Sequence, residues 1–364
     1  MEVTPIYSFK IKSIIHDYEV HFIDEFAPAL KAELVDGDFI IIDNKIKNLY
    51  AQDIGRLLKR FGHIGIDATE SQKSYQGIIP IMQTLINGGF RKNHRLIAIG
   101  GGITQDIPAF IASIMYRGVS WLFFPTTLLA QGDSCIGSKT SINFGEYKNQ
   151  VGGFYPPNKI LIYPKFIDTL TESEMKSGMG EMLHYFVVAG ESDFKMYAEN
   201  YREAFHDKQK LSTIIARSLE IKRGYIEKDE FDQNIRQVFN YGHSFGHAIE
   251  SLTHYKIPHG VAVSFGMDIA NFVSVKMDLI PETIRTEIRE ITAYICEGYS
   301  IVGIDVQLLI KALGKDKKNI GRQLGLILNN GYGNVFKKMV DVDEQFQGWM
   351  TEYFADELSI EAGR

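Results

Sequence analysis

The sequence predicts two domains, an α/β domain with a parallel sheet followed by a helical domain. In the first half, short β-branched segments alternate with helical ones, which is typical of a parallel α/β sheet. From about residue 169 onward, apolar residues recur at helical spacing and few segments resemble strands. A chain of 364 residues is also long for one hydrophobic core. We therefore expect domains at 1–168 and 169–364.

The elements of the first domain can be assigned in order along the chain. Strands are predicted at DFIIIDN (38–44), HIGIDA (63–68), HRLIAIGGG (94–102), VSWLFFPTT and KILIYP. Helices are predicted between them at KIKNLYAQDIGRLLKRF, YQGIIPIMQTLINGGF and ITQDIPAFIASIMYRG. In the second domain, helical periodicity predicts helices at ESEMKSGMGEMLHYFVVAG, KLSTIIARSLEIKRGYIEKD, NYGHSFGHAIE and VAVSFGMDIANFVSVKM.

Composition excludes several classes of protein. The net charge of −6 does not favour a nucleic-acid or membrane surface as partner. Two cysteines do not suggest a disulfide framework. The N-terminal residues lack the apolar core of a signal peptide, and no apolar run is long enough to cross a bilayer. We expect a cytoplasmic protein.

Two histidines in NYGHSFGHAIE are candidate metal ligands. His243 and His247 lie four residues apart and would share one face of a helix. Ser244 follows the first histidine, where a zinc peptidase would have a glutamate, so peptidase chemistry is not indicated. The pair could equally pack a helix through Gly242 and Gly246. The pattern alone leaves open whether one, both or neither binds a metal.

Two further segments have the features of a binding site. IAIGGGITQD (97–106) is a strand, a glycine turn and a helix start, where backbone N–H groups favour phosphate. It lacks the GxGxxG fingerprint and could be a simple turn. Residues 125–157 interleave Thr, Ser, Asp, Lys and Asn with apolar residues, which favours polar groups at a buried site over a solvated loop.

With these motifs the chain resembles the 3-dehydroquinate synthases and the wider sugar phosphate cyclases. The resemblance runs from about Asp43 to the DKK at 316–318, in matching order and spacing. It is carried by DATESQK, GGGITQD, YRGVSWLFFPTTLLAQGDS, GSKTSIN, KNQVGGFYPP, FIDTL, SGMGEM, KDEFDQNIRQVFNYGHSFGHAIE and HGVAVSFGM. The resemblance implies a Rossmann-like, NAD-binding domain, an all-helical metal- and substrate-binding domain, and a homodimer.

The resemblance also implies roles for the histidines. Glu181, His243 and His259 would bind Zn²⁺ or Co²⁺, with positions left open for substrate oxygens. His247 would not be a ligand, but would lie near the substrate phosphate and take part in proton transfer.

Substrate and cofactor residues follow from the same resemblance. Lys139, Asn240 and His247 match phosphate-side groups, and Arg117 matches an arginine that reaches the partner's active site. Lys222 and Arg236 match the pair that holds a carboxylate, Asp133 matches a hydroxyl-binding group, and either Lys317 or Lys318 (Lys318 is our choice) should face the substrate. The nucleotide contacts would be Asp43, Glu70, Lys73, Gly101, Gly102, Asp106, Thr126, Thr127, Asp133, Lys139, Lys148, Asn149, Thr169, Leu170 and Glu174.

The implied reaction is a phosphate-eliminating cyclisation in which NAD⁺ is used as a catalyst. The expected substrate is 3-deoxy-D-arabino-heptulosonate 7-phosphate and the product 3-dehydroquinate, an activity of the shikimate pathway to aromatic amino acids. His184 stands where these synthases usually carry a lysine, and Ser138 where a glycine is usual. The alternatives are a specialised cyclase of the amino-dehydroquinate, 2-deoxy-scyllo-inosose or valiolone type, a metal-dependent alcohol dehydrogenase, and a non-catalytic nucleotide-binding relative.

Overall fold

The computed structural model describes residues 7–145, 147–314, 319 and 323–357. The chain forms two compact units. The first extends to Leu170 and includes Lys222–Phe231, and the second comprises Thr171–Ile221 and the residues from Asp232 onward. One boundary between the units, after Ile221, lies inside the long helix Lys208–Ile226, and another, after Phe231, lies shortly beyond the end of that helix. None of the helices in the described ranges is both long and apolar enough to cross a membrane.

The first unit is built on a seven-stranded sheet with the order β1-β2-β9-β6-β5-β3-β4. Strand β1 pairs antiparallel with β2, and the remaining pairs are parallel. Strands β5 and β6 are buried along their whole length, as expected for a parallel sheet covered on both faces. The strands are β1 Tyr7–Ile11, β2 Tyr18–Phe22, β3 Phe39–Asp43, β4 Gly62–Ile66, β5 Leu96–Gly100, β6 Trp121–Pro125, β7 Lys139–Phe144, β8 Tyr147–Phe154 and β9 Lys159–Ile162.

The helices of this unit connect the parallel strands. The expected α/β alternation is confirmed for β3 to β6 and for β9. The single helix expected after β3 is two helices that break at Tyr50. The helices are α1 Phe26–Glu33, α2 Asn44–Leu49, α3 Ala51–Arg60, α4 Tyr75–Asn87 and α5 Gly102–Ile114. Strands β7 and β8 form a separate antiparallel hairpin.

The second unit consists mainly of helices. Helices α6 and α9 both pack against α10, which is buried over nearly its whole length. The helices are α6 Glu172–Ala189, α7 Glu191–Asn200, α8 Lys208–Ile226, α9 His243–Leu252, α10 His259–Lys276, α11 Glu282–Cys296, α12 Val306–Leu313 and α13 Glu344–Glu352; the last turn of α8 belongs to the first unit.

The expectation of an all-helical second domain needs one correction. Strands β10 (Gln323–Asn329) and β11 (Val335–Asp341) form an antiparallel hairpin in this unit. Strand β10 is buried from Leu324 onward, and Asn329 at its end donates a hydrogen bond from Nδ2 to Asn271 Oδ1 on α10 over 3.1 Å. The hairpin therefore belongs to the core of the helical unit.

Candidate active site

The parallel sheet places the glycine turn at a position suited to a nucleotide. After β3, the chain forms β4, which pairs with one edge of β3. It then returns and forms β5, which pairs with the opposite edge of β3. Ligands of such sheets bind at this reversal, beyond the carboxyl ends of the strands. Asp43 ends β3, and Gly101 and Gly102 follow β5. Gly101 precedes the first turn of α5 without a side-chain cap, and no acidic residue lies in that turn.

The predicted nucleotide residues of the first unit form a connected polar cluster. Lys73 Nζ lies 2.7 Å from Asp106 Oδ2, and the lysine side chain is buried. Asn143 Nδ2 donates to Glu70 Oε2 over 2.7 Å, and Lys148 Nζ lies 3.4 Å from Glu70 Oε1. This cluster joins the loop after β4 to helix α5 and to the hairpin β7–β8.

Several other predicted nucleotide residues have local structural roles. Asp43 caps α2 by accepting the Lys45 N–H over 2.7 Å. Glu174 forms a capping box with Thr171 at the start of α6, in the second unit. Thr127 Oγ1 accepts the Ala130 N–H, and Thr169 Oγ1 donates to Phe166 O. Thr126 follows β6, Asn149 has φ +54° in β8, and Leu170 ends the first unit.

Asp133 and Lys222 form a buried ion pair in the first unit. Lys222 Nζ donates to Asp133 Oδ1 and to the Asp133 carbonyl oxygen, each over 2.7 Å. Asp133 lies in a π-helical turn, Ala130–Ser134, a conformation that is frequent at functional sites. The two residues, which the sequence resemblance assigned to different groups of the substrate, therefore contact each other in the structure.

The segment that follows has an unusual backbone. Ser138 has φ +64°, the left-handed region where glycine is favoured, which explains why a glycine is usual at this position. Its hydroxyl donates to Glu230 Oε1 over 3.0 Å. Lys139 comes next, as the exposed first residue of β7.

In the second unit, Glu181, His243 and His259 bring three potential metal donors together from three helices. His243 Nε2 lies 3.4 Å from Glu181 Oε1, and His259 Nε2 lies 3.4 Å from Glu181 Oε2. Donors about 2.0–2.1 Å from a tetrahedral Zn²⁺ are roughly 3.3 Å apart, so these separations fit such an ion. Among the described residues, no hydrogen-bond partner satisfies the buried Glu181 Oε2. The residues present therefore fit a divalent metal.

Two neighbouring acceptors orient the histidine rings. His243 Nδ1 lies 3.3 Å from the Tyr241 carbonyl oxygen, and His259 Nδ1 lies 3.1 Å from Glu250 Oε2. An Nδ1–H donated to these acceptors leaves the lone pair on Nε2, facing Glu181. Metal-binding histidines are usually held in this way by a carboxylate or a backbone carbonyl. Glu250 lies near His247 and His259, and this contact makes it an orienting group for His259.

Electrostatics keep the carboxylate in its metal-binding form. Burial by itself would raise the pKa of Glu181, but the imidazoles of His243, His184 and His259, when they are protonated, outweigh it and hold the pKa well below its usual range. Burial likewise opposes ionisation of Glu250, whose pKa is lowered by the contact with His259.

Each of the three donors stands next to a glycine where helices cross. A Cβ on Gly180 would overlap with the Gly260 carbonyl oxygen, and a Cβ on Gly260 would overlap with the Ser177 carbonyl oxygen. Gly242 has φ +82°, and a Cβ there would lie 2.6 Å from the Val263 carbonyl oxygen. Helix α6 and the start of α9 thus each approach the backbone of α10 closely beside the donors.

The remaining predicted residues of this unit lie on or before α9. His247 is exposed, with its ring centroid 5.5 Å from that of His243 and 5.7 Å from that of His259. Arg236 is buried in the 3₁₀ turn Ile235–Asn240, and Asn240 Nδ2 donates to Gln237 O over 3.0 Å. Lys317 and Lys318 lie outside the described residues.

Sequence reasoning did not find Glu250 and Tyr241. Glu250 lies seven residues after His243, so helical spacing alone would have placed it on the same face of α9. Tyr241 acts through its backbone carbonyl, which leaves no signal in the residue type.

The fold and these clusters define a class of protein. A parallel α/β unit with a nucleotide-type strand reversal is followed by a helical unit with a Glu–His–His group of metal-ligand type. Two sequence families match in tandem, 3-dehydroquinate synthase N-terminal over residues 63–177 and 3-dehydroquinate synthase C-terminal over residues 178–319. The chain belongs to the 3-dehydroquinate synthase family.

Similar proteins support this assignment. The 3-dehydroquinate synthase of Dictyoglomus turgidum is 34% identical over 310 residues, which cover 84% of this chain and 86% of the relative. That of Streptococcus equi is 31% identical over 357 residues, covering 94% and 97%.

Solved structures share the fold. A 2-deoxy-scyllo-inosose synthase complexed with carbaglucose-6-phosphate, NAD⁺ and Co²⁺ has a TM-score of 0.85 at 20% identity, covering 96% of this chain and 99% of that one. A 2-epi-5-epi-valiolone synthase from Streptomyces hygroscopicus with bound NAD⁺ and Zn²⁺ has a TM-score of 0.84 at 23% identity, covering 93% and 97%.

Proposed function

We propose that this protein is an NAD- and metal-dependent sugar phosphate cyclase that converts 3-deoxy-D-arabino-heptulosonate 7-phosphate to 3-dehydroquinate and inorganic phosphate. The observation that carries the proposal is that His243 Nε2 and His259 Nε2 each lie 3.4 Å from one oxygen of Glu181, in a chain of the 3-dehydroquinate synthase family. Three protein donors leave coordination positions for substrate oxygens, as in catalytic zinc sites.

The metal would be Zn²⁺ or Co²⁺, held by the Glu181 carboxylate, His243 Nε2 and His259 Nε2. When bound, the metal polarises a substrate hydroxyl or carbonyl, and NAD⁺ accepts and returns a hydride. Tyr241 O and Glu250 keep both imidazoles oriented toward the ion. Glu181 is 4% exposed, so little water competes for its carboxylate.

The chain's other polar residues would hold the substrate. Lys139, Asn240 and His247 would surround the phosphate, because a cationic and hydrogen-bonding pocket stabilises the charge that develops on a departing phosphate. Arg236 would hold the substrate carboxylate through two parallel hydrogen bonds. Lys222, which is paired with Asp133, would join it, and Asp133 would accept a hydrogen bond from a substrate hydroxyl. Lys318 remains our choice for a further contact.

The nucleotide would bind at the strand reversal of the first unit. Gly101 and Gly102 would let its phosphates approach the first turn of α5, and the Lys73–Asp106 and Glu70–Lys148 pairs lie in the same unit. Asp43 and Glu174 already serve as helix caps, so any contact with the nucleotide would use their remaining oxygen lone pairs.

A second candidate function is a cyclase of the same family that takes a different sugar phosphate. The observation that favours it is His184, where dehydroquinate synthases usually carry a substrate-contacting lysine. Arg236 and Lys222 favour a carboxylated substrate, so an amino-substituted analogue agrees with the residues better than a carboxylate-free sugar of the inosose or valiolone type.

The test is the fate of the hydride. We expect NAD⁺ far below the substrate concentration to support many turnovers, with phosphate released in equal amount to a carbocyclic product and no lasting NADH absorbance. Phosphate can be measured by colorimetry and the product by mass spectrometry, with metal-stripped protein as the control. Stoichiometric NADH would instead indicate an alcohol dehydrogenase, and turnover of only a carboxylate-free sugar phosphate would indicate the second candidate.

We also propose a homodimer in which Arg117 completes the partner's active site. Arg117 is exposed at φ +61°, between Tyr116 at φ +49° and Gly118 at φ +104°. Such backbone strain is retained where the surrounding structure holds a side chain in place, and Lys92 Nζ donates to the carbonyl oxygens of Tyr116 and Gly118. Exposed apolar side chains occur on α4 and at the end of α5, at Tyr75, Ile79, Ile86, Ile114 and Tyr116.

Mixing two inactive variants tests the dimer. Arg117→Ala and His247→Ala should each be inactive alone, and subunit exchange should restore part of the activity, because one site of each mixed dimer has both residues intact. Sedimentation of the wild-type protein should give twice the chain mass. A monomer, or no recovery after demonstrated exchange, would contradict this arrangement.

A further inference from the structure

His184 lies beside the candidate metal carboxylate. It follows Glu181 by three residues on α6, so the two side chains share one face of the helix. His184 Nε2 lies 3.4 Å from Glu181 Oε1, and the histidine is fully buried. This contact directs one ring nitrogen at the carboxylate.

Aromatic neighbours fix the plane of this ring. Its centroid lies 4.0 Å from that of Tyr185, 5.8 Å from that of Phe239 and 5.4 Å from that of His243. An imidazole enclosed by three rings cannot extend toward a distant ligand, in contrast to a lysine with its flexible four-carbon stem. The reach of His184 is therefore limited to Glu181 and its immediate surroundings.

We propose that His184 is a positioning residue that holds the metal-binding carboxylate, instead of contacting the substrate as the usual lysine does. A carboxylate that binds a metal can only accept hydrogen bonds, so Nε2 of His184 would carry a hydrogen and donate to Oε1. This hydrogen bond would fix the orientation of the carboxylate, whose Oε1 faces His243 Nε2 and whose Oε2 faces His259 Nε2, each at 3.4 Å. The inference rests on the proposed function, since it assumes that the Glu181, His243 and His259 group binds a metal.

The same group could include His184 as a fourth ligand, since Glu181, His184 and His243 could by themselves hold an ion. Burial argues against this arrangement. His184 has no exposed surface, whereas the His259 side chain is 32% exposed. An ion that must keep a position open for substrate lies on the side of His259, and a fourth protein ligand would close that position.

Metal binding by three variants tests the proposal. His184→Gln keeps an N–H donor, His184→Phe keeps an aromatic ring without a donor, and His184→Lys restores the residue usual in dehydroquinate synthases. The affinity for Zn²⁺ would be measured by competition with a chelator, and the coordination of Co²⁺ by visible absorption. Phe239→Leu is the matched control, because it loosens the same aromatic cluster without removing a donor to Glu181.

We expect His184→Phe to weaken Zn²⁺ binding about 10–100-fold, the usual effect of losing a group that orients a ligand, with an unchanged Co²⁺ spectrum. His184→Gln and Phe239→Leu should stay close to wild type. Unchanged affinity in His184→Phe, or equal loss in Phe239→Leu, would overturn the proposal. A changed Co²⁺ spectrum in both His184→Phe and His184→Gln would make His184 a ligand and also overturn it. If the wild-type protein binds no metal, the proposed function fails instead.

Discussion

His243→Ala and His259→Ala are expected to be purified largely without metal, whereas His247→Ala should retain one ion per chain and lose activity. Each of the first two changes removes a histidine whose Nε2 lies 3.4 Å from an oxygen of Glu181, the third proposed ligand. Loss of a direct ligand should cost more than the 10–100-fold typical of an orienting group. The metal content of each dialysed protein can be measured by elemental mass spectrometry.

The third histidine is the matched control for this experiment. His247 shares helix α9 with His243, and its ring centroid lies within 5.7 Å of those of both proposed histidine ligands. Because metal binding and folding can be coupled, circular dichroism is needed to check that all three variants are folded. Metal loss in His247→Ala together with retention in His259→Ala would show the assignment to be wrong.

Asp133→Ala should be among the most destabilising single changes in the first unit. It would leave the Lys222 ammonium, whose side chain is only 7% exposed, without its carboxylate. Breaking a buried ion pair from one side costs about 3–5 kcal/mol, because the remaining charge stays desolvated. Replacing both residues, in Asp133→Ala with Lys222→Met, should recover part of the loss, because no unpaired charge is then buried.

An exposed ion pair supplies the comparison. Lys195 and Glu191 lie 2.6 Å apart on α7, with side chains 63% and 62% exposed, so water screens the pair and Lys195→Ala should change stability little. Thermal unfolding measured on all four proteins would rank them. A loss in Asp133→Ala no larger than that in Lys195→Ala would mean that solvent screens the Asp133–Lys222 pair.

The sequence predicted the elements with a continuous apolar pattern and missed those without one. Strands β5 and β6 are buried on both faces, so Leu96–Gly100 and Trp121–Pro125 appear as unbroken apolar runs. The hairpin β7–β8 consists largely of Lys, Ser, Asn and Gly, and its pairing depends on residues up to fifteen positions apart, from Lys139 to Phe154. Local periodicity in the sequence does not reveal such pairing. The hairpin β10–β11 was missed for another reason, because a short apolar run is compatible with both a helix and a strand.

Only part of the candidate site could be predicted from the sequence. Spacing on α9 allows both His243 and His247 to face a metal, and the choice between them came from a resemblance. In the structure, His243 Nε2 lies 3.4 Å from Glu181 Oε1 on another helix, which favours His243 as the ligand. The polar pair Asp133–Lys222 joins residues 89 positions apart, which no local pattern reveals.

The glycines at the helix crossings have a consequence for how this site can change over time. At Gly180, Gly242 and Gly260, an added Cβ would overlap with a backbone carbonyl oxygen, which cannot repack as a side chain can. The spacing of the donors is thereby insulated from drift in the lining. The same feature makes the frame brittle, because neither the α6–α10 nor the α9–α10 crossing can absorb an added methyl group at these glycines. Selection for a new substrate would therefore act on the lining of the pocket and leave the frame alone.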